Sequence, residues 1–275
     1  MKKRFYSILP AILVFIFAFA AFGAPTYSEA ADRVTVKIGI TGEMYNDLWG
    51  PAIKSLANDG IDVELVSFSD YTLPNAALAA KEIDLNTFQH YNYLNNEIKT
   101  KDYKITAIGD TLLAALCVYS KTISNLNELK AGDKIAIPGD AVNTGRALTV
   151  IQGAGLIKLD ASKGNLPEVT DITENPLELQ FVQVDAAQVP SLLPDVAAGV
   201  INGGYAVDFG LSPEKDSIFY DDLSFYKDKG YVNIIAARTE DIDNPVYKKV
   251  VAAIQSDATA QVMKEKFEGA FIPAW

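Results

Sequence analysis

"VTVKIGITGEMYNDLWGPAIKSLANDGIDVELVSF", residues 34–68, is the stretch from which the fold can be read. Its opening residues, Val34 to Ile40, alternate and are rich in β-branched side chains. So are the closing residues from Ile61 to Phe68, and both ends therefore read as strands. Between them Trp49, Ile53, Leu56 and Ala57 fall on one helical face, and Gly60 ends the pattern. Strand, helix, strand is the local prediction.

The same alternation continues along the chain. A second helix over "LPNAALAAKE" has Pro74 near its start, where proline is well tolerated, and a third strand, "IDLNTFQ", follows it. "YKITAIGD" and "ALCVYSK" read as further strands. A second unit then opens with strand "KIAIPG" (134–139), helix "TGRALTVIQGAG" (144–155), strand "LQFVQVD" (179–185), helix "AAQVPSLLPD" and strand "VAAGVING" (196–203). The pattern predicts an α/β protein with parallel sheets covered by helices. It contains no internal repeat and no low-complexity linker.

The final strand, "YVNIIAARTE" (231–240), and the closing helices after it suit the first unit, whose sheet is otherwise short of elements. We therefore expect two lobes, 31–114 with 232–275 and 115–231, after a signal segment over 1–30. Two adjacent crossovers near 114 and 231 would form a hinge. The cleft between such lobes is the expected ligand site.

Composition bounds the function. The 275 residues are 49% hydrophobic, enough to fill the cores of two lobes. The basic start Lys2, Lys3, Arg4, the apolar run from Ile8 to Phe22 and the small residues Ser28 and Ala30 read as a cleaved secretory signal. An uncleaved membrane anchor is the other reading. Cleavage leaves 21 basic against 34 acidic residues, a net charge of −13. Such a balance disfavours nucleic acid or an anionic membrane surface as partner. Cys117 is alone, so no internal disulfide forms, and it reads as a buried strand thiol.

Ligands of open α/β sheets sit beyond the carboxyl ends of strands. Lobe one offers Thr41, Glu43 and Tyr45 after its first strand, Tyr71 after its second, and Phe88, His90 and Tyr93 after its third. Lobe two offers Asn143 and Arg146 within "PGDAVNTGRAL" and Asn202 after "AAGV". One lobe presents rings, the other a cation and amides. A helix starting at Thr144 puts Arg146 in its first turn, where free N–H groups, the macrodipole and the guanidinium fork together favour a carboxylate. Asn202 and Asn233 are open to two readings, ammonium ligands or turn residues. His90 is the single histidine and has no partner nucleophile in a recognisable motif, so no enzyme activity, metal or cofactor is expected.

The segments "FSDYTLPNAAL", "DLNTFQHYNYLNN", "IAIPGDAVNTGRAL", "DITENP", "GVINGGYA", "YVNIIAAR" and "GAFIPAW" resemble the NlpA lipoprotein family, methionine-binding proteins of ABC importers. The resemblance runs from about residue 34 to the end. It implies a two-lobed periplasmic-binding-protein fold of the second type that binds an amino acid, usually methionine, and delivers it to an ABC permease; a monomer is expected. Under it Tyr71, Phe88, His90 and Tyr93 form the aromatic side-chain pocket. Arg146, in the Asn-x-Gly-Arg pattern begun by Asn143, holds the α-carboxylate, and Asn202 and Asn233 take the ligand's polar end. A methionine-containing dipeptide, another apolar amino acid and, distantly, an exported amino-acid enzyme are the alternatives. Asn92 stands where the family commonly has proline, and Gly204 where it has Asn or Thr. The lipobox cysteine is absent, so the expectation is a soluble periplasmic protein, or one held by an uncleaved signal.

Overall fold

A computed structural model of the protein describes residues 33–220, 230–267 and 269–275. The signal reading over 1–30 lies outside them. In chain order, β1 (Val34–Thr41), α1 (Met44–Asn58), β2 (Ile61–Phe68), α2 (Pro74–Ala79), β3 (Leu85–Asn86), α3 (Tyr91–Lys101) and β4 (Ile105–Ala114) come first. β5 (Leu116–Tyr119), β6 (Lys134–Pro138), α4 (Ala141–Gly153), β7 (Lys158–Leu159), β8 (Ile172–Glu174), β9 (Gln180–Val184) and β10 (Ala198–Asn202) follow. Then come α5 (Gly203–Asp208), α6 (Pro213–Asp216), β11 (Ser217–Phe219), β12 (Val232–Arg238), α7 (Pro245–Ile254), α8 (Asp257–Lys266) and β13 (Phe271–Pro273).

The architecture is two-lobed. A six-stranded sheet has the order β13-β4-β12-β3-β1-β2, and a five-stranded sheet the order β11-β5-β10-β6-β9. The predicted strand-helix-strand is present, with β1 and β2 parallel from Val34 opposite Ile61 to Thr41 opposite Phe68. Val36, Ile38 and Ile40 of β1 are buried beneath α1, α7 and α8 in one core. The helical face differs from the prediction. Tyr45, Leu48, Trp49, Ala52 and Leu56 are buried, whereas Ile53 and Ala57 are half-buried at the edge of the stripe.

Two expectations are corrected. The sheets are mixed, not purely parallel: β12 runs antiparallel to β4 and β3, and β10 antiparallel to β5. The crossovers explain this. β4 leaves at Leu113 directly opposite Val232, where β12 enters, so neighbouring exit and entry points force opposite directions. The "AAQVPSLLPD" segment is a 3₁₀ helix over Ala186–Leu192, not an α-helix. Pro190 within it has no N–H to donate and disfavours a continued α-helical turn.

Candidate ligand-binding cleft

The aromatic side of the cleft is built on the six-stranded sheet. Thr87 donates its N–H to the Gly39 carbonyl at 2.9 Å, and Ile234 donates to the Gln89 carbonyl at 3.0 Å. His90 and Asn233 extend this pairing as an antiparallel bridge. Behind the backbone lies a buried amide cluster. Asn75 Nδ2 donates to Gln89 Oε1 at 2.8 Å, Asn86 Nδ2 to Asn75 Oδ1 at 2.9 Å, and Gln89 Nε2 to Asn86 Oδ1 at 2.9 Å. Each amide satisfies another, which is what allows three polar side chains to be buried together.

This frame presents Phe88, His90 and Tyr93 toward the cleft, with Tyr71 reaching over them. The Tyr71 ring lies 5.8 Å from Phe88, 6.1 Å from Tyr93 and 4.9 Å from Tyr205. Tyr93 Oη donates to the Tyr71 carbonyl at 3.0 Å. His90 is the N-cap of α3, its Nδ1 accepting from the Tyr93 N–H at 3.1 Å. The proton of the neutral ring therefore sits on Nε2. Nε2 is buried and has no hydrogen-bond partner. Burial, reinforced by the Arg146 charge, pushes the His90 pKa down to about 3, so the ring is neutral across the physiological range.

The polar side is built on the start of α4. Here the sequence reading is corrected: the helix begins at Ala141, not Thr144, and Arg146 lies in its second turn. Asp140 is the N-cap, accepting from the Asn143 N–H at 2.9 Å and from Asn143 Nδ2 at 2.9 Å. The first-turn N–H groups are thus engaged by the protein's own carboxylate. Thr144 lies within the helix, and its hydroxyl donates to the Pro138 carbonyl at 2.7 Å. Gly145 is a packing requirement, because a Cβ there would stand 2.8 Å from the Asn165 carbonyl oxygen.

Arg146 is 1% exposed. Its Nη2 donates to the Ala114 carbonyl at 2.7 Å, and its guanidinium lies 4.7 Å from the centroid of the Tyr231 ring. Asn202, at the end of β10, donates through Nδ2 to Asn143 Oδ1 at 3.0 Å. Its Oδ1 is a buried acceptor with no hydrogen-bond partner.

All eight sequence-selected residues, Tyr71, Phe88, His90, Tyr93, Asn143, Arg146, Asn202 and Asn233, line one cleft of about 500 Å³, part of it open to solvent. Thr41, Met44, Tyr45, Gln89, Gly204 and Phe271 are among the other residues of its wall. Arg146 is the charged residue among those lining it, since His90 is neutral. Cys117 is buried elsewhere and does not face His90 across the cleft. Among the described residues no three His, Cys, Asp or Glu side chains form a metal-binding group. Sequence reasoning missed Tyr205 and Tyr231, which pack behind the lining residues. Each lies just outside a strand end, where a lone tyrosine carries no positional signal.

Comparison with known proteins matches residues 36–275 to the family described as NlpA lipoprotein. The chain belongs to the NlpA lipoprotein family. It is 43% identical over 218 residues to the D-methionine-binding lipoprotein MetQ of Yersinia pestis, covering 78% of this chain and 79% of that protein. The same protein of Escherichia coli K12 is 44% identical over the same shares. A nutrient-binding protein from Burkholderia cenocepacia bound to methionine superposes with a TM-score of 0.83 at 38% identity, covering 87% of this chain and 100% of that one. These findings overturn the expectation of a soluble periplasmic protein: the family and its MetQ members are named lipoproteins, which are lipid-anchored at a membrane. No helix among the described residues is long and apolar enough to cross a membrane.

Proposed function

We propose that this protein is the methionine-binding component of an ABC importer, taking the amino acid in its cleft and presenting it to the membrane permease. The observation that carries the reading is the division of the cleft. A buried cation and a partnerless carbonyl oxygen stand on one side, and a cluster of aromatic rings stands on the other. A zwitterion with an apolar tail needs all three, because each charged end must regain on binding the partners it loses with water.

In this reading Arg146 holds the α-carboxylate, and Asn202 Oδ1 and the Asn233 side chain accept from the ammonium. Asn143 orients Asn202 and is itself held by Asp140. Tyr71, Phe88, His90 and Tyr93 enclose the thioether, whose polarizable sulfur packs favourably against ring edges at about 0.3–1.5 kcal/mol per contact. Met44 closes the wall beside Gly204. His90 serves as a donor and a packing surface, and the protein binds without catalysis.

The lobes 31–114 with 232–275 and 115–231 close about the crossovers at Ala114 and Tyr231. Ligand bridging Arg146 to the rings supplies the differential affinity that closure requires. The protein acts as a monomer.

Mass spectrometry of the small molecule that co-purifies, followed by calorimetry with methionine, tests the reading. Methionine recovered and bound by the wild type is the expected result. Arg146→Ala should weaken it by about 2–5 kcal/mol, the range for truncating one partner of a buried charge pair. Unchanged affinity would remove Arg146 from the site.

A further inference from the structure

Tyr231 does not line the cleft, yet it touches groups from both sides of it. It is 3% exposed and immediately precedes β12, where the chain returns to the six-stranded sheet. The Arg146 guanidinium lies 4.7 Å from its ring centroid. The His90 ring meets the same tyrosine at 5.0 Å and 83°, edge to face.

The ring is itself held. The Asn92 side chain hydrogen-bonds the Tyr231 hydroxyl, and the Asn92 N–H donates to the Gly230 carbonyl at 2.9 Å. Gly230 adopts φ +77°, and a Cβ at that position would collide with the Asn92 side chain. Asn92 therefore fixes both the backbone and the hydroxyl of the 230–231 corner.

We infer that Tyr231 is a positioning residue for carboxylate recognition, its ring holding the Arg146 guanidinium in register with its Ala114 bond while Asn92 holds the ring. The inference rests on the reading of Arg146 as the carboxylate ligand. Arginine has many rotamers, and recognition of a planar carboxylate depends on presenting the fork in one orientation. Here that orientation is set from two places, the Ala114 carbonyl where β4 leaves its sheet and the Tyr231 ring where β12 enters it. A desolvated guanidinium over an aromatic face is among the stronger cation–π geometries. A leucine or methionine in place of Tyr231 fills part of the volume but offers no π face, so the fork would lose its register.

Calorimetry with methionine and with methioninol, which carries an alcohol in place of the carboxylate, separates positioning from packing. Arg146→Ala should weaken methionine strongly and leave methioninol unweakened. Tyr231→Leu should weaken methionine about tenfold and methioninol less than about twofold. Tyr231→Phe, which keeps the ring, should restore methionine binding to within about threefold of wild type. If Tyr231→Leu does not fold, Tyr231→Met must show the same preference for damaging methionine. Equal loss for both ligands, or no loss, in the Tyr231 variants beside the expected Arg146→Ala pattern would overturn the positioning role alone. If Arg146→Ala fails to distinguish the two ligands, the carboxylate reading falls and this inference falls with it.

Discussion

The two sides of the cleft are made differently. The ring-bearing side, residues 71–93, is tied into the six-stranded sheet by backbone hydrogen bonds to Gly39 and from Ile234, and backed by amides that satisfy each other. The polar side is the start of one helix and the end of one strand. There Asp140, Asn143 and Asn202 form a chain that stops at a buried, partnerless Asn202 Oδ1. On the first side the fold satisfies the backbone and the amides and leaves the His90 Nε2 donor over, whereas the second side is held by a short polar chain that ends in an acceptor for a ligand to complete. Damage to the first should therefore appear mainly as lost stability, and damage to the second mainly as lost affinity.

The strongest challenge to that contrast is Asn86→Leu. It removes a donor to Asn75 and an acceptor from Gln89, leaving these two buried amides bonded only to each other and an apolar side chain in a polar cluster. A loss of about 3 kcal/mol or more in denaturant unfolding is expected. Stability within about 0.5 kcal/mol of wild type would mean that the amide cluster is not what holds the rings.

Next is the pH dependence set by His90. Its folded pKa of about 3 lies below the ordinary value of 6.5, so the unfolded chain binds a proton that the folded one refuses. The stability is fully present above about pH 6.5 and is lost progressively as pH falls toward 3. Between pH 7 and pH 5 the His90 contribution should fall by about 2 kcal/mol. His90→Asn keeps an N-cap for α3 and should remove this slope. A slope unchanged by the substitution would assign the acid sensitivity to other groups.

Much of this organisation was legible in the residues. Alternation in β1 and β2 and the apolar stripe of α1 reflect burial on one face, which periodicity reports directly. The cleft residues were legible because strand ends in open sheets converge there. Strand direction was not legible, since alternation is identical in parallel and antiparallel strands, and only the neighbouring crossovers fix the direction of β12. The start of α4 was misplaced because Asp140 and Asn143, the residues before the observed and the expected start, are both acceptable caps. Side-chain contacts decide between them, the Asn143 amide being taken by Asp140 and by the distant Asn202. Tyr231 was missed for a related reason: its partners Asn92 and Arg146 lie far away in sequence.

On the polar side, Asn202→Ala should lower methionine affinity by about 1.5 kcal/mol, roughly tenfold, with a smaller change in unfolding free energy. The Asn143 amide loses its donor, but Asp140 still holds it. Calorimetry beside thermal unfolding measures both effects. A loss confined to stability would make Asn202 a structural residue and weaken the contrast between the sides.

The smallest expected effect belongs to a contact that crosses between the sides. The Asp208 carboxylate, at the end of α5, accepts from the Glu43 N–H at 3.0 Å and the Met44 N–H at 2.8 Å. It thereby caps α1, whose own N-cap residue makes no side-chain cap bond. Gly42 makes the approach possible: its φ of +99° suits glycine, and a Cβ there would collide with the Asp208 carboxylate. Asp208→Asn retains one acceptor oxygen and loses the charge at the helix start, about 1 kcal/mol. Because α5 follows β10 of one sheet while α1 follows β1 of the other, the loss should appear in both readouts, as lower stability and as weaker methionine binding. A ligand-free form more open in small-angle scattering should accompany it. A loss of stability alone, with affinity and scattering unchanged, would mean that α5 travels with the six-stranded lobe. The moving boundary would then lie near Gly203 rather than at the return crossover.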